Sequence, residues 1–113
     1  MIMPYGDLRK ITKGLDLHTH HLVEKRFAGN LGLNSDDILS IAIDKNTHQQ
    51  ITNLMSDKIP YNTLSDKSTS NATPQQIWSA TRDVYKQLGL TEYLTPLKQQ
   101  FEAAGHNLSW GSW

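Results

Sequence analysis

The sequence predicts a small α+β domain, and three observations carry that expectation. Residues 15–23 (LDLHTHHLV) alternate partly between apolar and polar, and residues 38–43 (ILSIAI) form a short β-branched run, so both read as strands. Residues 44–58 place Ile51, Leu54 and Met55 at helical spacing behind Asp44, a fitting N-cap. The second half then carries two further helix starts, at Thr73-Pro74 and Thr95-Pro96. The 113 residues read as one domain, with a strand–strand–helix core at about 15–58 and a helical half at about 73–105.

Composition narrows the function classes. There is no cysteine, which excludes disulfides, thiolate zinc sites and a cysteine nucleophile. No apolar run reaches the length of a membrane span, and no signal peptide opens the chain. Eleven basic residues balance eleven acidic ones. A chain of zero net charge lacks a global pull toward nucleic acid, though Lys25-Arg26 and the group Arg9, Lys10 and Lys13 remain local basic patches.

Taken in order, residues 1–14 are expected to be irregular, because Pro4 and Gly6 disfavour a regular element. On the strand at 15–23, His18 and His20 share one face and His21 points to the other. A helical turn around Arg26-Phe27-Ala28 gives way to a loop punctuated by Gly29, Asn30, Gly32 and Asn34. His48 falls in the early part of the 44–58 helix, at the edge of its core-facing side, and Pro60 stops that helix. Residues 61–72 are polar and read as a loop. Thr73, Pro74 and Gln76 spell a capping box, with the helix running through Ile77, Thr81, Val84, Tyr85 and Leu88 to Gly89. Thr95-Pro96 opens the last helix, Leu97 and Phe101 face inward, and Gly105 stops it. The tail holds Trp110 and Trp113, expected to cover part of the core.

The chemistry concentrates in residues 18–21, where three of the five histidines lie within four positions, and a fourth, His48, follows 27 residues after His21. The isolated His106 reads as structural. A His-x-His strand end also occurs in barrel metal hydrolases, but a (β/α)₈ barrel needs about 200 residues or more, and no βα repeat follows here. Two strands followed by a helix, with a histidine pair on the first strand and a histidine on the helix, match the layout of a ββα-metal nuclease site. There, one member of the pair and the helical histidine hold a divalent cation, and the other member takes a proton from water. Neutral imidazole is a suitable general base, and the cation stabilises charge on the phosphate.

The series Tyr5-Gly6, Leu8, Gly14-Leu15, then His20-His21-Leu22-Val23-Glu24-Lys25-Arg26-Phe27-Ala28 resembles the HNH/endonuclease VII-like nuclease domains of bacterial polymorphic toxins, in their His-His branch. The stretch Ile38–Ile43, His48-Gln49-Gln50, Thr52-Asn53, Ile59-Pro60-Tyr61 and Thr73–Trp78 resembles the same family, so the likeness runs over roughly residues 5–90. It implies an α+β fold with a ββα-metal (His-Me finger) motif and additional C-terminal helices.

The resemblance implies further that His21 is the catalytic base and that His20 and His48 are metal ligands. Water and phosphate oxygens would complete the coordination of one divalent ion (Mg²⁺, Mn²⁺, Zn²⁺ or Ni²⁺). Lys25, Arg26 and Lys58 are candidate nucleic-acid contacts, Lys58 standing where the family carries a late Trp-Arg; His18, which many relatives lack, is a phosphate contact or strand surface in preference to an extra ligand. The family's base-orienting Asn has no clear counterpart; Asp37 is the candidate, and a backbone carbonyl the alternative. The implied activity is endonucleolytic cleavage of DNA by the C-terminal module of a secreted or delivered toxin that acts in the target-cell cytoplasm and is neutralised by a cognate immunity protein. RNA cleavage on the same fold is one alternative. A metal-stapled, non-enzymatic module binding a partner through its Trp110/Trp113 tail is the other.

Overall fold

The computed structural model describes residues 1–61 and 67–107. Its elements run β1 (Met3–Pro4), α1 (Tyr5–Thr12), β2 (His18–His21), α2 (Ala28–Leu31), β3 (Leu39–Ile43), α3 (Lys45–Lys58), α4 (Ser68–Asn71), α5 (Pro74–Gln87) and α6 (Leu94–Ala103). The strands form one antiparallel sheet in the order β1-β3-β2. This is the α+β class that the sequence predicts. Trp110 and Trp113 lie outside the described residues.

Register decides which side chains meet. His18 lies opposite Ile43, His20 opposite Ile41, and His21 opposite Ser40. Because a pleated strand sends alternate side chains to opposite faces, His18 and His20 share a face with Ile41 and Ile43. Thr19 and His21 share the other with Ser40 and Ala42. The first face joins the main core, built from Ile41, Ile51, Met55, Ile77, Trp78, Val84, Tyr85, Leu97 and Phe101. The second is covered by α1, whose Thr12 hydroxyl pairs with that of Thr19.

The N-terminal segment corrects the expectation of irregular chain. Pro4 stands on an edge strand and directly before α1, where its missing N–H interrupts no ladder. Gly6 lies in the first turn of α1, and a Cβ there would come within 3.5 Å of the Asp36 Cβ. The helix α1 thus forms despite the poor helix propensity of glycine, about 1 kcal/mol, packed beside the 3-10 turn at Ser35–Asp37. Leu8, buried to 2% exposure, anchors the helix.

The strand β2 is shorter than the alternation predicts. Leu15 and Leu17 are exposed before it, while Leu22 and Val23 are buried after it. The polar stretch after Pro60 contains the short helix α4 at its described end.

The local signals at α3 and α5 hold. The Asp44 carboxylate accepts from the Thr47 N–H at 2.7 Å, and Thr73 and Gln76 form a reciprocal capping box. The helix α6 begins at Leu94 after a 3-10 turn at Thr91–Tyr93, so Thr95 is inside the first turn and does not cap it. Pro96 is tolerated there because the first-turn N–H groups have no helical acceptor. The side-chain amide of Gln100 on α6 accepts from the Leu39 N–H at 3.0 Å and donates to the Asp37 carbonyl at 2.8 Å. It imitates a neighbouring strand and ties α6 to the sheet.

Candidate active site

The two strands and α3 bring the sequence-distant histidines together. The Asp44 cap fixes the first turn of α3, and His48 lies in that turn with its N–H bonded to the Asp44 carbonyl. Its ring comes within 5.2 Å of the His20 ring, edge to face, and within 5.0 Å of the His18 ring, centroid to centroid. His18, a candidate phosphate contact by sequence, is thus on the His20–His48 side of the sheet, exposed at its edge.

His20 is the most enclosed of the group, 4% exposed. Its Nε2 lies 3.0 Å from the Tyr85 hydroxyl, which donates to the Leu22 carbonyl. Burial, and then the neighbouring imidazoles of His48 and His21, push its pKa down to about 3. His20 is therefore neutral at physiological pH, with a lone pair on one nitrogen, as a metal ligand must be. His48 is also shifted down, by partial burial and by His18, with the Glu24 carboxylate acting in the opposite sense.

The spacing of the pair suits a shared ion. Two imidazoles on one ion, with metal–nitrogen bonds of about 2.0–2.1 Å and a roughly tetrahedral angle, would have ring centroids about 5 Å apart. Among the described residues, no group of three or more His, Asp or Glu side chains is placed to hold an ion. An ion held by His20 and His48 would take its other ligands from water or from substrate oxygens.

His21 occupies a different environment one residue away. Its ring stacks on Tyr5 of α1, with centroids 3.9 Å apart and planes at 11°. Its Nε2 is buried and has no hydrogen-bond partner among the described residues. Burial lowers its pKa, the Ser35 backbone carbonyl opposes this, Lys25 lowers it further and Asp36 raises it. Ser35 and Asp36 are thus the groups that favour the charged form of this ring. Asp37, the orienting candidate by sequence, makes no described contact with His21; its backbone carbonyl is taken by Gln100.

His20, His21 and His48 nevertheless line one cleft of about 340 Å³, with Thr19, Glu24, Lys25, Arg26, Thr52 and Tyr61. Lys25 is exposed at its edge and adds positive charge. Arg26 is turned into the fold. Its guanidinium donates to Glu24 (2.9 Å), to the Pro60 carbonyl (3.0 Å), to the Thr69 hydroxyl (2.8 Å) and to the Ile59 carbonyl. The Phe27 and Tyr61 rings lie 4.3 and 4.1 Å from it. Arg26 closes the C-terminal end of α3, where free carbonyls favour a cation, and this placement commits four of its hydrogen bonds to the chain. Lys58 lies away from the histidines, beside a separate cavity of about 640 Å³ and 4.0 Å from Asp83. His106 bonds the Leu31 carbonyl at 2.7 Å, a structural role as the sequence suggests.

Three residues of the site were not singled out by chemistry in the sequence: Tyr5, Glu24 and Tyr85. Only Tyr85 left a signal. A tyrosine in an otherwise apolar helical stripe needs a partner for its hydroxyl, and that partner proves to be β2. Comparison of the chain with protein families, with curated proteins and with solved structures finds no match.

Proposed function

We propose that this chain is a metal-dependent endonuclease of the HNH/endonuclease VII-like, ββα-metal class, with DNA as substrate. The observation that carries the reading is the approach of His48 on α3 to His20 on β2 (5.2 Å between rings) in a cleft that His21 also lines. A divalent ion held by His20 and His48 would neutralise charge on the scissile phosphate and on the departing oxygen. In this reading His21, which lines that cleft, is the general base: its imidazole would take a proton from water as the water oxygen bonds to phosphorus and the P–O bond opposite breaks. The imidazole is neutral for this role because burial lowers its pKa. Tyr5 fixes the plane of that ring. Lys25, and His18 at the edge, are the groups best placed to meet flanking phosphates.

The resemblance extends the proposal to biology: a toxin module delivered into a target cell, held inactive in its producer by an immunity protein. With zero net charge, binding should draw on few phosphates and read little sequence.

The test is nicking of supercoiled plasmid by the purified chain, with and without EDTA and with Mg²⁺, Mn²⁺, Zn²⁺ or Ni²⁺ restored. Metal-dependent conversion to open circles is expected. Cleavage of total RNA with plasmid left intact would move the substrate to RNA. Metal-dependent folding with neither nucleic acid cut would leave a stapled binding module in place of an enzyme.

A further inference from the structure

The bond between His20 and Tyr85 fixes more than a ring position. A tyrosine hydroxyl has one proton, and the backbone carbonyl of Leu22 can only accept. The contact between the Tyr85 oxygen and the Leu22 oxygen therefore holds that proton. The Tyr85 oxygen must then accept from His20, whose Nε2 lies 3.0 Å away. Neutral imidazole carries one N–H, so its lone pair is left on Nδ1.

We propose that Tyr85 is a positioning residue that locks His20 in the Nε2–H tautomer and presents Nδ1 as the ligating nitrogen. The metal half of this statement rests on the nuclease reading above; the tautomer half does not. The arrangement is well enclosed: Tyr85 is fully buried on α5 and His20 nearly so. A metal-bound imidazole whose second nitrogen donates to an oxygen is the common device for setting tautomer and ring orientation. Here the oxygen is a phenol held in turn by the carbonyl two residues beyond the ligand, so strand, helix and ligand form one closed circuit.

The experiment uses the full chain labelled with ¹⁵N-histidine and free of metal. Two-bond ¹H–¹⁵N spectra at pH 7 are expected to show His20 with a protonated Nε2 and a lone pair on Nδ1. In Tyr85→Phe the same ring should become a tautomer mixture or reverse. Zn²⁺ titration by calorimetry should then show about 10–100-fold weaker binding in Tyr85→Phe than in wild type. Val84→Ala is the control, since Val84 is buried on the same helix but makes no bond to His20. It should lower thermal stability and leave Zn²⁺ affinity unchanged.

A protonated Nδ1 on wild-type His20 would overturn the proposal. So would equal loss of affinity in Val84→Ala and Tyr85→Phe, or a Tyr85→Phe affinity equal to wild type, since either would reduce Tyr85 to packing. A wild type that binds no Zn²⁺ and cuts no plasmid overturns the nuclease reading and the ligand half with it, and the spectra still decide the tautomer.

Discussion

The two faces of β2 treat adjacent histidines in opposite ways. On the α3–α5 face, His20 is shut in and bonded to Tyr85, with its charge suppressed by burial. On the α1 face, His21 is stacked on one aromatic ring and its buried Nε2 has no partner among the described residues. One residue of strand separates an enclosed, hydrogen-bonded imidazole from one stacked on a tyrosine ring. The pleat alone makes this separation; the helices on either side give each half its chemistry.

That contrast should break most sharply at His21. On the nuclease reading, His21→Ala should lower plasmid nicking by about 10²–10⁴-fold, the usual contribution of a general base, while Zn²⁺ affinity measured by calorimetry stays at the wild-type value. His20→Ala and His48→Ala should lose affinity and cleavage together. Wild-type nicking by His21→Ala would erase the proposed division.

The next effect is on stability and is carried by His20. Its folded pKa of about 3 lies below the ordinary histidine value of 6.5, so the unfolded chain takes up protons first. This contribution is fully present above pH 6.5 and is lost as pH falls from there toward 3, by about 4 kcal/mol at the lower end. His21 and His48 shift in the same direction. Urea titrations of the metal-free chain between pH 7 and 4 should show stability falling with acid, and His20→Gln should flatten the slope by about one proton.

A smaller loss is expected from Arg26→Ala, about 2–3 kcal/mol, because the Ile59 and Pro60 carbonyls and the Glu24 carboxylate lose their donor. Arg26→Lys should recover little, since an ammonium cannot reproduce the fork. Smallest is Tyr5→Leu, about 1 kcal/mol in stability from the lost ring stack. Its use lies in the asymmetry: nicking should fall while Zn²⁺ binding does not, because Tyr5 touches only the His21 side.

The parts of this fold that could be read from sequence are those set by short-range chemistry. The Asp44 cap, the Thr73–Gln76 box and the opposite facing of His20 and His21 each depend on residues within a few positions of one another. The helix α1 was hidden because Pro4 and Gly6 carry local penalties, and the Asp36 turn beside which it packs comes from thirty residues away. The charge of Arg26 suggests a nucleic-acid contact, and its acceptors at Ile59, Pro60 and Thr69 lie 33 to 43 positions along the chain, out of reach of any local pattern. The 3-10 lead-in to α6 escaped because Thr95-Pro96 is itself a good start signal, displaced here by a turn with no such signature.

The distance in sequence between His20 and Tyr85, 65 positions, has a consequence for timing. Chains are made from the N-terminus, so the histidines of β2 and α3 are synthesised before residue 85. A nascent or truncated chain ending after α3 contains all four histidines of the cluster, yet lacks the Tyr85 hydroxyl that meets the His20 ring. The contact between His20 and Tyr85 therefore waits for α5, which follows both histidine-bearing elements in the chain.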